Sequence, residues 1–114
     1  MAKLLRLEDY RRKNAFVSFR KEELQQLLNL YSRRVAMGEW RDYAIDNGPG
    51  MAVFTVYRSA QDRPLFQVVK FAKGSYGQGD WMVADAHRRL KQTTTLADAI
   101  ALFERETFRL VGRD

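Results

Sequence analysis

Leu24, Leu27, Leu28, Tyr31 and Val35 recur at i, i+3, i+4, i+7 and i+11. That is one continuous stripe on a helix. Gln25, Gln26, Asn29 and Arg33 take the opposite side. Glu22 and Glu23 stand in the first turn and Arg33 and Arg34 near the last, each where the helix dipole favours its charge. Gly38 is placed to close the helix with a positive φ. The pattern predicts a helix over residues 21–37.

The period then changes to two. Residues 41–46 alternate, with Tyr43 and Ile45 set off by Asp42 and Asp46. Residues 47–50 (Asn-Gly-Pro-Gly) are turn chemistry. Residues 51–58 are apolar on both faces, as a central strand is: Met51, Val53 and Tyr57 on one, Ala52, Phe54 and Val56 on the other. A polar turn over 59–64 leads into a strand over 65–72. A glycine-rich connection over 74–79 leads into a last strand over 80–86 around Trp81, Met82 and Val83. A first short strand is expected over 14–19, ahead of the helix. Leu96, Ala99, Ile100 and Phe103 make a second helical stripe behind an N-cap at Thr95, which predicts a helix over 96–108. The order is β-α-β-β-β-β-α. The expected class is α+β: an antiparallel sheet of four to five strands, with two helices packed on one face and the other face partly open.

Composition adjusts this picture in two places. The chain has 114 residues, 46% of them hydrophobic, which suits one domain with a real core. The net charge of +6 is unevenly spread: residues 1–21 carry seven cations against two anions. The reading is therefore a basic N-terminal segment over 1–13 and a single α+β domain over 14–114, of which residues 22–114 together carry only +1. No apolar run is long enough to span a bilayer, and the start is too short in apolar residues for a signal peptide. The expected address is the cytoplasm.

Candidate chemistry is sparse. There is no cysteine and one histidine, His87. This removes disulfide scaffolds, thiolate nucleophiles, zinc fingers and multi-histidine metal sites. No catalytic set, metal ligand set or cofactor is expected. Asp85 and His87 would share a strand face, but no nucleophile stands near them; a surface histidine at a strand end is the simpler reading. The glycine-rich 74–79 lacks the strand-then-helix setting of a phosphate loop and reads as a hairpin loop. The most distinctive stretch is residues 38–46, Gly-Glu-Trp-Arg-Asp-Tyr-Ala-Ile-Asp. A guanidinium can stack on an aromatic ring or pair with a carboxylate. Trp40, Arg41, Asp42, Tyr43 and Asp46 are thus the candidate binding residues. The alternative is a corner in which Trp40 plugs the sheet edge and Arg41 is tied to Asp42 or Asp46.

The helix motif Glu-Leu-Gln-Gln-Leu-Leu-Asn-Leu-Tyr over 23–31 and the corner over 38–46 together resemble a small bacterial family of unknown function. The strand segments around Ala52-Val53-Phe54 and Pro64-Leu65-Phe66 share in the likeness, which covers roughly residues 15–70 well. The resemblance implies a cytoplasmic, single-domain bacterial protein and carries no activity with it.

Three functions follow as expectations. The first is a non-catalytic protein-interaction module with an unidentified protein partner, using the corner, the open sheet face or a sheet edge; homo-oligomerisation is left open. The second is RNA or single-stranded DNA binding, with phosphate contacts from Arg6, Arg11, Arg12, Lys13, Arg20, Lys21, Arg58 and Lys70 and bases stacked on sheet-face aromatics. The third, ranked last, is a small enzyme or ligand binder built around Arg41.

Overall fold

A computed structural model describes residues 15–59 and 63–104. The expected phosphate contacts at Arg6, Arg11, Arg12 and Lys13 lie outside the described residues. The second helix is shorter than the expected 96–108: it stops at Leu102 with Phe103 as its C-cap. The elements are β1 (Phe16–Val17), α1 (Lys21–Ala36), β2 (Asp42–Pro49), β3 (Met51–Tyr57), β4 (Pro64–Phe71), β5 (Trp81–Asp85), β6 (Arg89–Thr93) and α2 (Leu96–Leu102). The class is α+β as expected, but the sheet has six strands rather than four to five, in the order β1 to β6 with every neighbour antiparallel.

The added strand is β6. Leu90 is its only strongly apolar residue, so no alternation marks it in the sequence. It forms because β5 offers a ladder across the β5–β6 hairpin, and it lies at the sheet edge, where polar side chains are tolerated. Asp85 builds that hairpin: its Oδ1 accepts from the backbone N–H groups of His87 and Arg88 at 2.8 and 2.9 Å. Partial burial alone would push its carboxyl up. Those two hydrogen bonds and the nearby charges of His87 and Arg88 outweigh it and hold the carboxyl below its ordinary range. The conceivable Asp85–His87 dyad is therefore a turn clasp made through the backbone.

Both helices pack on one face of the sheet. The ladders place Ala52, Phe54 and Val56 beside Phe66 and Val68, and Trp81 and Val83 beyond them. These residues form one buried core with Leu27 and Leu30 of α1 and with Leu96, Ala99 and Leu102 of α2. The centre of the α1 stripe differs from the expectation. Leu27, Leu30 and Arg34 are its buried residues, while Val35 is 41% exposed. Adjacent apolar residues at 30 and 31 make the angle of the stripe ambiguous, and packing against the sheet chose the Leu30 side. The helix termini follow the reading more closely. Gly38 has φ +78°, and the Thr95 hydroxyl accepts from the N–H of Asp98 at 3.1 Å.

At its N-terminus α1 is fastened to the sheet. Glu23 Oε1 accepts from the Arg20 N–H at 2.8 Å and from Lys70 Nζ at 2.7 Å. Lys70 Nζ also donates to the Ser18 carbonyl at 2.9 Å and sits 5.8 Å from the centre of the Trp81 ring. The opposite sheet face carries Val53, Thr55, Gln67, Val69 and Met82, and no helix among the described residues lies over it.

One glycine is required by close approach. Gly79, with φ +137°, packs on the start of the β6–α2 connection. A Cβ there would overlap the carbonyl of Thr93 and reach within 2.9 Å of the Thr94 nitrogen. Gly79→Ala is expected to destabilise the fold by about 3 kcal/mol, combining overpacking with a strained φ. Urea unfolding checks this; Gly77→Ala, which meets open space, should change stability by less than about 1 kcal/mol.

Candidate functional site

The 38–46 corner forms because α1 stops sharply. The N–H of Gly38 donates to the Val35 carbonyl at 2.9 Å, and the N–H of Glu39 donates to the Arg34 carbonyl at 2.9 Å. This reversal brings Glu39 back beneath Arg34. Their side chains meet at 2.7 Å, Arg34 Nη1 donating to Glu39 Oε1, and are only 6% and 13% exposed. Glu39 Oε2 is buried without a hydrogen-bond partner. The pair is thus a half-satisfied internal clasp.

Trp40 follows directly and is 3% exposed. Its ring meets Phe103 edge-on at 5.5 Å and lies 6.4 and 6.5 Å from Tyr31 and Phe66. It joins α1, β4 and the end of α2 in one aromatic cluster, and is a core residue rather than a contact for a ligand. The backbone then enters the sheet, the Arg41 N–H donating to the Tyr57 carbonyl at 2.8 Å.

The other candidate residues of the corner lie at the surface. Arg41, Asp42, Tyr43 and Asp46 are all exposed. Among the described ion pairs Arg41 joins neither Asp42 nor Asp46, so the expected tie between them is absent there. Asp42 Oδ1 instead accepts from the Tyr43 N–H at 2.8 Å. Tyr43 is 39% exposed; its ring stacks on Phe54 at 5.6 Å and meets Tyr31 edge-on at 4.8 Å. Burial, then the Asp42 charge and Tyr43, push the Tyr31 hydroxyl above its ordinary pKa, so it stays a neutral donor. The ladder places Tyr43 and Ile45 on the helix-covered face, and Asp42, Ala44 and Asp46 on the other.

What unites these residues is their strand. β2 pairs along one side with β3 from Asp42 to Asn47. On its other side β1 reaches only Gly48 and Pro49. Among the described residues no strand pairs with the outer side of 42–47, so this six-residue stretch is a sheet edge, in which the Tyr43 N–H is already taken by Asp42 Oδ1. A sheet edge is among the expected docking elements, but the side-chain pattern does not place it on β2. The signal was the distance between the first apolar pair and the helix: a chain that enters α1 at Lys21 cannot run alongside the whole of an eight-residue β2.

The cations of the second reading are divided. Arg20 caps α1 beside Glu22 and Glu23, at 3.9 Å from each. Lys21 is exposed nearby, and Lys70 is held by Glu23. Arg58 stands past the other end of β3, in the turn that also carries Arg63. At ~3.3 Å per strand residue, Arg63 and Lys70 are about 23 Å apart along β4. Most sheet aromatics, among them Phe54, Phe66 and Trp81, face the helices. On the opposite face Phe71 is buried, with the exposed Tyr76 edge-on to it at 4.6 Å, and Phe16 of β1 is 70% exposed.

Among the described residues no group of three or more histidine, aspartate or glutamate side chains is gathered as a metal ion requires, and no helix is long and apolar enough to cross a membrane. No curated protein and no solved structure matches the chain. A family model described as a protein of unknown function, DUF2794, matches residues 17–100, which takes in α1, the whole corner and all strands from β2 to β6. The chain belongs to that family.

Proposed function

We propose that the protein is a non-catalytic, cytoplasmic protein-interaction module whose docking element is the free edge of β2. The observation that carries this reading is the outer side of 42–47, with which no strand pairs among the described residues, beside an exposed Tyr43 that packs against Tyr31 of α1. An exposed edge offers a row of main-chain donors and acceptors to which an extended segment can add as a further strand. The Tyr43 ring is fixed by its packing on Phe54 and Tyr31, so a partner's side chain meets a preformed surface and little ordering entropy is lost. The buried Trp40 and Arg34–Glu39 pair serve this site by fixing where β2 begins.

Two features favour this reading over nucleic-acid binding. The described cations are split between the two ends of the sheet, and Lys70 is occupied by Glu23. Phe54, Phe66 and Trp81 are turned into the core, which leaves Phe16, Tyr43 and Tyr76 as the exposed rings among the described residues.

Site-specific photo-crosslinking in cells tests the proposal. A photoreactive residue at Asp46 or Ala44 should capture a discrete protein partner. The same residue at Gln26 on the wet side of α1, or at Lys91 on β6, should not. Equal capture at all four positions, or capture only from Gln26 or Lys91, would rule the β2 edge out.

A further inference from the structure

The edge also specifies the chemistry of what it takes. Asp42 and Asp46 are four residues apart on one strand, so both carboxylates project from the same face with only Ala44 between them. Both are exposed, and neither pairs with a cation among the described ion pairs. On the other face Tyr43 and Ile45 alternate with them, Tyr43 exposed and Ile45 partly buried against the core. A strand added here would set its own alternate side chains opposite these two rows.

We infer that the β2 edge binds an extended basic peptide segment of a partner protein, with Lys or Arg at two positions four apart and apolar residues at the first and third of the three positions between them. This rests on the docking reading above and narrows it to a partner class. The cations sit opposite Asp42 and Asp46. The residue between them meets Ala44, where a small side chain fits. The apolar pair lies against Tyr43 and Ile45. The pattern reads the same in both chain directions, so parallel and antiparallel addition select the same side chains. Its length is bounded, because β1 already occupies Gly48 and Pro49. The same charges select against a second copy. In a two-fold pairing of β2 edges centred on Ala44, each Asp42 would stand opposite the Asp46 of the other copy, and like charges directly opposite are destabilising. A pairing centred further along would run into β1.

Selection of random twelve-residue displayed peptides on the full chain tests this inference. The expected consensus has Lys or Arg at positions i and i+4 and apolar residues at i+1 and i+3. Binding of a selected peptide should fall at least tenfold in the double variant Asp42→Lys, Asp46→Lys. Selection on that variant should return acidic residues at the same two positions. Asp42→Asn with Asp46→Asn keeps shape and acceptors, and should give a smaller loss in the same direction; circular dichroism confirms that both variants are folded. A consensus without paired cations that still competes with crosslinking from Asp46 would overturn the basic-partner inference and leave the docking edge standing. Peptides that bind both variants as tightly as the wild type, or no enriched peptide at all, would also overturn the inference. Peptides whose binding leaves crosslinking from Asp46 intact would count against both.

Discussion

Replacing Trp40 with alanine is expected to destabilise the protein by about 3–5 kcal/mol, the range for deleting a fully buried large aromatic side chain. For a domain of this size that lowers the melting temperature by about 12–20 °C. The size of the effect follows from position. Trp40 is where the end of α1, the entry to β2, strand β4 and the residue after α2 meet, through Tyr31, Phe66 and Phe103. Alanine would leave a cavity that four separate elements would have to close, and three of them are held elsewhere by the sheet or by a cap. Trp40→Phe keeps a ring in the cluster and should cost less than half as much. Thermal unfolding followed by circular dichroism measures both. A Trp40→Ala protein that melts within a few degrees of the wild type would show that this side chain is not part of the core, and would reopen it as a contact for a ligand.

The second large effect is expected at Glu39. Arg34 is 5% exposed and its side chain meets Glu39 at 2.7 Å. Removing the carboxylate leaves a buried guanidinium without its counter-ion, a loss of about 3–5 kcal/mol. Glu39→Gln keeps an acceptor while deleting the charge, and should fall between wild type and Glu39→Ala. The decisive comparison is the double variant Arg34→Met, Glu39→Leu. Glu39 Oε2 has no hydrogen-bond partner, so the pair is an imperfect substitute for apolar packing. Replacing both partners should therefore recover most of the stability lost by Glu39→Ala. Equilibrium unfolding in urea reads all three. If the double variant were as unstable as Glu39→Ala, the clasp would be holding the corner by more than mutual charge compensation.

These two residues also mark where the sequence was legible. The α1 boundaries, the buried Ala52-Phe54-Val56 face of β3, the Gly38 stop and the Thr95 cap are local properties, written in period, turn chemistry and capping, and the fold keeps them; the other face of β3 is only partly buried, with Met51 exposed. The Trp-Arg-Asp-Tyr run was visible as a feature, but its division was not. Whether Trp40 points into the core while Tyr43 stays at the surface depends on the angle at which α1 hands the chain to β2. That angle is set by the Arg34–Glu39 contact, and a charged residue in a last helical turn gives no sign in the sequence that it is buried. Strand β6 was missed because an edge strand needs no apolar alternation. The open side of β2 was missed for a related reason: being an edge belongs to the sheet and not to the strand, and it follows from how short β1 is. The candidate site was thus half legible, in its side chains and not in its backbone.

The central claim is that a partner adds to the outer side of β2. Amide hydrogen exchange compares the protein alone with the protein saturated with the partner captured from Asp46, or with a selected peptide. The account predicts new protection concentrated in the segment Asp42–Pro49, with β6 and the exposed side of α1 unchanged. Protection appearing in β6 or α1 while Asp42–Pro49 exchanges as before would contradict it.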